Sequence, residues 1–144
     1  DGDPAPLPHL HVPDDATWSL ELAVTLRSAA MRNDDAAPFT VSRVGYETAM
    51  YWSPAQLLTH HASNGCALMP GDLLGTGTIS GPAPEQRGCL LERSWRGTEP
   101  LTLPDGSRRS FLEDGDEVTF TGHAVRSGQP AIGFGPCRGV VMPA

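Results

Sequence analysis

Trp18-Ser19-Leu20-Glu21-Leu22-Ala23-Val24-Thr25-Leu26 is the stretch on which the fold reading turns. Trp18, Leu20, Leu22, Val24 and Leu26 alternate with Ser19, Glu21, Ala23 and Thr25. Successive side chains of a strand leave opposite faces, so this period describes a half-buried strand with one face on a core. Working outward, residues 28–38 are small and polar, include Asn33-Asp34-Asp35, and read as a loop or turn. Residues 39–46 read as a second short strand. On the other side, residues 1–14 are rich in Pro and Asp and read as an extended lead-in over the surface. The opening Asp-Gly-Asp-Pro-Ala-Pro lacks Met and any basic or apolar leader, so the expectation is a fragment or one half of a processed protein.

Ser53 starts the one strong helix signal. It can act as N-cap, Pro54 suits the first helical position, and Gln56 completes a capping box. Leu57, Leu58 and His61 share a face, and Asn64-Gly65 ends the helix because both tolerate a left-handed backbone. Beyond it the pattern is β-rich. Strands are predicted over 73–79, 89–95 and 101–103, with Pro104-Asp105-Gly106 as a hairpin turn, then over 118–123 and 132–141. Gly122, Gly133, Gly135 and Gly139 within the last two imply bends or close backbone approach. The whole reads as one domain, residues 1–144: mainly β, mixed and strongly bent, with a short helix.

Composition agrees. Sixteen Gly and fourteen Pro are too many for a helical bundle. The net charge of −7, with no Lys/Arg cluster, argues against nucleic acid and anionic membrane as partners, since both reward clustered cations. No apolar run approaches the length of a membrane span. Cys66, Cys89 and Cys137 are odd in number and lack metal-ligand spacing, which reads as three reduced thiols in a cytoplasmic protein.

Three features could carry chemistry. His60-His61 point about 100° apart on a helix and cannot chelate one metal together. The structural alternative is one buried, hydrogen-bonded His and one exposed. Gly75-Thr76-Gly77-Thr78-Ile79-Ser80-Gly81-Pro82 has no Lys and is not a P-loop. Its glycines would let backbone N–H groups approach a ligand and its Thr hydroxyls could bind a carboxylate, or it is simply a tight bend. Glu92, in the predicted strand, shares a face with Leu90 and Ser94 and is a candidate for a partly buried working carboxylate, against a surface salt bridge to Arg93 or Arg96. No Gly-x-Ser-x-Gly elbow is present, and Asp114-Gly115-Asp116-Glu117 reads as a turn. Residues alone lead to a β-rich domain with a possible ligand loop.

A resemblance leads further. Tyr51-Trp52, Gln56-Leu57-Leu58-Thr59-His60-His61, Asn64-Gly65-Cys66 and Pro70-Gly71-Asp72-Leu73-Leu74 stand in an order similar to that of the fumarylacetoacetate hydrolase family. Gly77-Thr78-Ile79-Ser80-Gly81-Pro82, Leu91-Glu92-Arg93-Ser94-Trp95-Arg96-Gly97-Thr98, Phe111 to Val118 and Ile132-Gly133-Phe134-Gly135 continue it along nearly the whole chain. The resemblance implies the C-terminal part of a catalytic domain of mixed β-sandwich and β-roll type. It implies an enzyme that hydrolyses a carbon–carbon bond in fumarylacetoacetate, giving fumarate and acetoacetate, in tyrosine and phenylalanine catabolism. A His held by a Glu activates water in that chemistry, cationic and amide groups hold the oxyanion, and Mg²⁺ or Ca²⁺ steadies the departing enolate. Glu92 matches the Glu that orients the His, and Thr78, with Gly77 beside it, matches a substrate-binding Thr. The matching base, metal carboxylates and oxyanion groups lie upstream of this segment, and the chain has no Lys. No metal site is therefore expected within residues 1–144, the isolated chain is expected to be inactive, and the complete enzyme is expected to be a cytoplasmic homodimer acting on a small molecule. The alternatives are a related β-diketo acid or acylpyruvate hydrolase, and a non-catalytic remnant serving as a binding or assembly module.

Overall fold

The computed structural model describes residues 4–12 and 17–144. The remainder of the predicted lead-in, residues 1–3, 13 and 14, lies outside the described residues. Residues 4–7 are exposed and outside any regular element, and Pro8–Leu10 then forms a 3-10 turn that buries Leu10.

The alternating stretch is strand β1 (Leu20–Arg27). It pairs antiparallel on one side with β2 (Phe39–Gly45) and on the other with β5 (Glu117–Ala124). The register sets Leu22 opposite Val44 and Gly122, and Leu26 opposite Phe39 and Val118, so the apolar set shares one face. The far side of β5 pairs with β6 (Ile132–Gly133) and β7 (Cys137–Val140), giving one antiparallel sheet. The predicted strand 132–141 is thus two short ones. Gly135 at φ +77° and Pro136 break it, one supplying a left-handed bend and the other no N–H donor. Gly122 is a close approach, since a Cβ there would meet Leu22 and Phe134 side chains at 3.0 and 3.1 Å.

Between β1 and β2 the chain is not all loop. Ser28 caps α1 (Ala29–Asn33) by accepting a hydrogen bond from the Met31 N–H. Ala, Met and Arg are good helix formers, and a cap residue can open a turn of helix within a polar stretch. Another single turn, α2 (Tyr46–Ala49), follows β2. Helix α3 (Pro54–Ala62) has the reciprocal Ser53–Gln56 capping box that the sequence predicts. The Gln56 amide also donates to the Leu10 carbonyl at 2.9 Å and ties the lead-in to the helix.

Two predicted strands are absent. Residues 73–79 carry no ladder hydrogen bonds and are exposed through Thr78, with Leu73 97% accessible, so alternation there has no sheet to join. Residues 89–95 instead wind into α4 (Leu90–Arg93), with Arg93 N–H bonded to Cys89 O and Ser94 N–H to Leu90 O. Leu-Leu-Glu-Arg are straight-chain helix formers, and local i to i−4 bonding satisfies a backbone that has no neighbouring strand. The hairpin forms between β3 (Leu101–Thr102) and β4 (Arg108–Arg109), with Gly106 at φ +82°. Leu26, Met31, Val41 and Leu103 make the core, and Leu90 and Val118 pack against it. Each such side chain contributes roughly 1.5–3 kcal/mol by leaving water. The chain is therefore mainly β, antiparallel, with a few short helices.

Candidate functional site

Chain geometry around residues 78–92 gathers the candidate loop and Glu92 into one clasp. The chain leaves Thr78 and Ile79, turns at Gly81, makes a 3-10 turn at Pro84–Gln86, and returns through Gly88 to α4. Gly81 N–H donates to the Gln86 carbonyl at 3.0 Å and closes the far end. The Gly88 N–H donates to Ser80 Oγ at 3.0 Å and closes the near end. A Cβ at Gly88 would lie 2.3 Å from the Ile79 carbonyl oxygen and 2.7 Å from Thr78 Cγ2, so only glycine allows the two arms to touch.

Ser80 Oγ then donates to Glu92 Oε2 at 2.6 Å, within the range of a short, charge-assisted bond. Glu92 lies on α4 and is exposed rather than part-buried in a strand; the expectation of an apolar strand setting fails with the strand. Its surface-ion-pair alternative also fails among the described residues. Arg93 Nε donates instead to the Val41 carbonyl, and no Arg meets the Glu92 carboxylate. Arg87 stacks its guanidinium 4.7 Å from the Trp95 ring centroid and donates to the Glu92 carbonyl at 3.4 Å. Trp95 and Arg96 hold φ +47° and +57°, a left-handed turn that ends α4. Buried Ser94 supports it, donating to Leu90 O and accepting from Gly97 N–H. Backbone strain of this kind, on a bulky residue, persists only where surroundings hold it.

Thr78 and Gly77 lie on the exposed arm, Gly77 at φ +79°. The clasp thus brings Thr78 and Glu92 into one small unit. It does not bring in a histidine: among the described residues no imidazole bonds the Glu92 carboxylate. His60 and His61 are both exposed, which corrects the reading of one buried and one exposed, and His61 Nε2 lies 3.3 Å from Cys66 Sγ. His123 pairs across the sheet with Glu21 at 3.4 Å. Ser80 and Arg87 were not identifiable as partners of Glu92, because their contacts cross an irregular loop with no periodic signal.

A divalent cation needs several oxygen ligands converging on one point. Among the described residues no group of three His, Cys, Asp or Glu side chains is placed to hold one. The predicted turn forms at Asp114-Gly115, with Gly115 at φ +86°, but Asp116 at its end is not a solvated carboxylate. Asp116 is fully buried and takes a bidentate pair of hydrogen bonds from Arg109, at 2.8 and 3.1 Å. That pairing raises the Arg109 guanidinium further above its ordinary value. These residues do not fit a resident divalent ion. Cys66, Cys89 and Cys137 are unpaired thiols. No helix among the described residues is long and apolar enough to cross a membrane.

Against known proteins, residues 5–142 match the family model described as fumarylacetoacetate (FAA) hydrolase, C-terminal. The chain is 50% identical over 142 residues to fumarylacetoacetase of Bos taurus, covering 99% of this chain and 32% of that protein. It is 49% identical to fumarylacetoacetase of Homo sapiens and 46% to that of Arabidopsis thaliana, with the same coverage. The chain therefore spans about a third of the length of the curated relatives it matches.

Proposed function

The chain belongs to the fumarylacetoacetate hydrolase family, and from that membership we propose that it is the C-terminal part of an enzyme cleaving fumarylacetoacetate to fumarate and acetoacetate. The observation that carries the reading is the clasp, which joins the loop bearing Thr78 to the Glu92 carboxylate. In this reading Glu92 accepts from one ring N–H of a histidine supplied by the rest of the polypeptide. A carboxylate in that place fixes the tautomer and stabilises the imidazolium once the other ring nitrogen has taken a proton from water. The hydroxide so formed attacks a carbonyl of the β-diketo acid. The bond between that carbon and the neighbouring methylene breaks, and the carbanion, as its enolate, takes up a proton to leave as acetoacetate. Thr78 donates a hydrogen bond to a substrate carboxylate or carbonyl oxygen, aided by backbone N–H groups near Gly77.

The Mg²⁺ or Ca²⁺ that this chemistry calls for would be held by the rest of the longer polypeptide, where it would steady the departing enolate. The same reading makes the complete enzyme a cytoplasmic homodimer. The relatives named fumarylacetoacetase favour this substrate over an acylpyruvate. The test is Glu92→Gln in the complete enzyme. Turnover should fall by at least about a hundredfold, with the melting temperature retained, because an amide cannot balance the imidazolium charge. Wild-type turnover in a folded Glu92→Gln enzyme would overturn the assignment.

A further inference from the structure

We infer that Ser80 is a positioning residue, whose hydroxyl sets the Glu92 carboxylate for the imidazole it is proposed to hold; the inference rests on the reading of Glu92 given above. Glu92 stands on a helix of four residues, exposed, with three side-chain torsions of which the last is broad. Left to itself such a carboxylate would spread over many orientations. Among the described residues one group donates to it, Ser80 Oγ at 2.6 Å.

The hydroxyl has a single proton, and its own surroundings dictate where that proton points. The Gly88 N–H, 3.0 Å away, occupies a lone pair of Ser80 Oγ and cannot accept. The proton is therefore free to go to Glu92 Oε2. This leaves Oε1 for a second donor, the arrangement a carboxylate needs to face a ring N–H. Arg87 does not do this work: its guanidinium lies on Trp95 and reaches the Glu92 backbone carbonyl, so it anchors α4 and not the carboxylate. Gly88 makes the arrangement possible by letting the Ile79 carbonyl and Thr78 methyl press against its backbone, which brings the arm bearing Ser80 within reach of α4. Orientation is thus fixed before substrate arrives, and a pre-oriented group costs less ordering during the reaction.

The experiment is a double-mutant cycle in the complete enzyme with Ser80→Ala, Glu92→Gln and the pair, alongside Ser80→Thr. Loss of a hydrogen bond to a charged group should lower kcat about ten- to a hundredfold in Ser80→Ala with KM held within about twofold. In the Glu92→Gln background the same substitution should change kcat little, because Ser80 acts through that carboxylate. Ser80→Thr, which keeps the hydroxyl, should restore most of the turnover. Were Ser80→Ala not to fold, Ser80→Cys would be read in its place: a weaker donor of similar shape, with kcat between the two. Undiminished kcat in a folded Ser80→Ala or Ser80→Cys enzyme, or a full additional loss on top of Glu92→Gln, would overturn the role of Ser80 while leaving that of Glu92 intact. Undiminished turnover in Glu92→Gln itself would remove the premise instead.

Discussion

At the scale of single residues, a glycine contact decides what Glu92 can meet: the Gly88 backbone lets the arm bearing Thr78 and Ser80 press close, and Ser80 then reaches the carboxylate on α4. Glu92 is legible because a carboxylate beside apolar residues draws notice, yet its notional burial in a strand is replaced by an exposed helical position. Ser80 is twelve residues from Glu92, and nothing in periodicity pairs residues across a loop that folds back through a glycine contact. Thr78 carries its own prediction. Its methyl packs near Gly88, on the same arm as Ser80, and the residue is exposed, so Val would preserve shape and remove only the hydroxyl. Losing one neutral hydrogen bond to substrate should raise KM of the complete enzyme by about two- to tenfold and lower kcat less. Steady-state kinetics of Thr78→Val will decide this, and an unaltered KM would count against substrate contact.

Elements show why some of the fold was readable and some was not. Strand β1 and helix α3 were identifiable from local signals, a period of two and a capping box, and both signals act through contacts within a few residues. The stretches 73–79 and 89–95 read as strands, but a strand exists only where a neighbour offers ladder partners, and in the second the helix-forming Leu-Leu-Glu-Arg bonds locally instead. Helix α1 escaped notice for the opposite reason, since its cap, Ser28, gains strength from afar. Ser28 Oγ accepts from the Met31 N–H and donates to Asp105 in the β3–β4 turn, linking two elements. Asp105 is held at a pKa of about 2, below its ordinary 3.8, first by the Ser107 hydroxyl, then by Ser28 and the Ser107 N–H. A carboxyl depressed in the folded state adds stability above its unfolded value and loses it as pH falls through the folded one. Its contribution is thus complete at neutral pH and declines between about pH 4 and about pH 2. Asp105→Asn should be less stable than the parent at neutral pH, modestly because the group is exposed to solvent, with the gap closing across that window. Urea unfolding at a series of pH values measures it, and a gap independent of pH would refute the linkage.

At the scale of the whole molecule, the sheet is covered unevenly. Leu26, Met31, Val41 and Leu103 close one end into a core, whereas Phe120, Phe134 and Ile132 remain 51–67% accessible towards the other. Leu91, Phe111 and Leu112 beside α4 are likewise about half accessible. An apolar area of this kind, in a chain covering about a third of its relatives' length, fits a part whose remaining contacts come from the rest of a longer polypeptide. Buried Asp116 is engaged by Arg109, Glu113 also pairs with Arg109, and no three ligating side chains meet among the described residues. No described imidazole bonds the Glu92 carboxylate, and the base proposed above comes from the rest of the polypeptide. Purified residues 1–144 should therefore show no turnover of fumarylacetoacetate and no stoichiometric tight binding of Mg²⁺ or Ca²⁺ by calorimetry. They should bind a hydrophobic dye and self-associate as concentration rises, both weakening when the upstream part is supplied in the same polypeptide. Turnover near that of a complete relative, in a preparation free of longer protein, would mean that the base lies within this chain, and His60, His61 and His123 would be the first to replace.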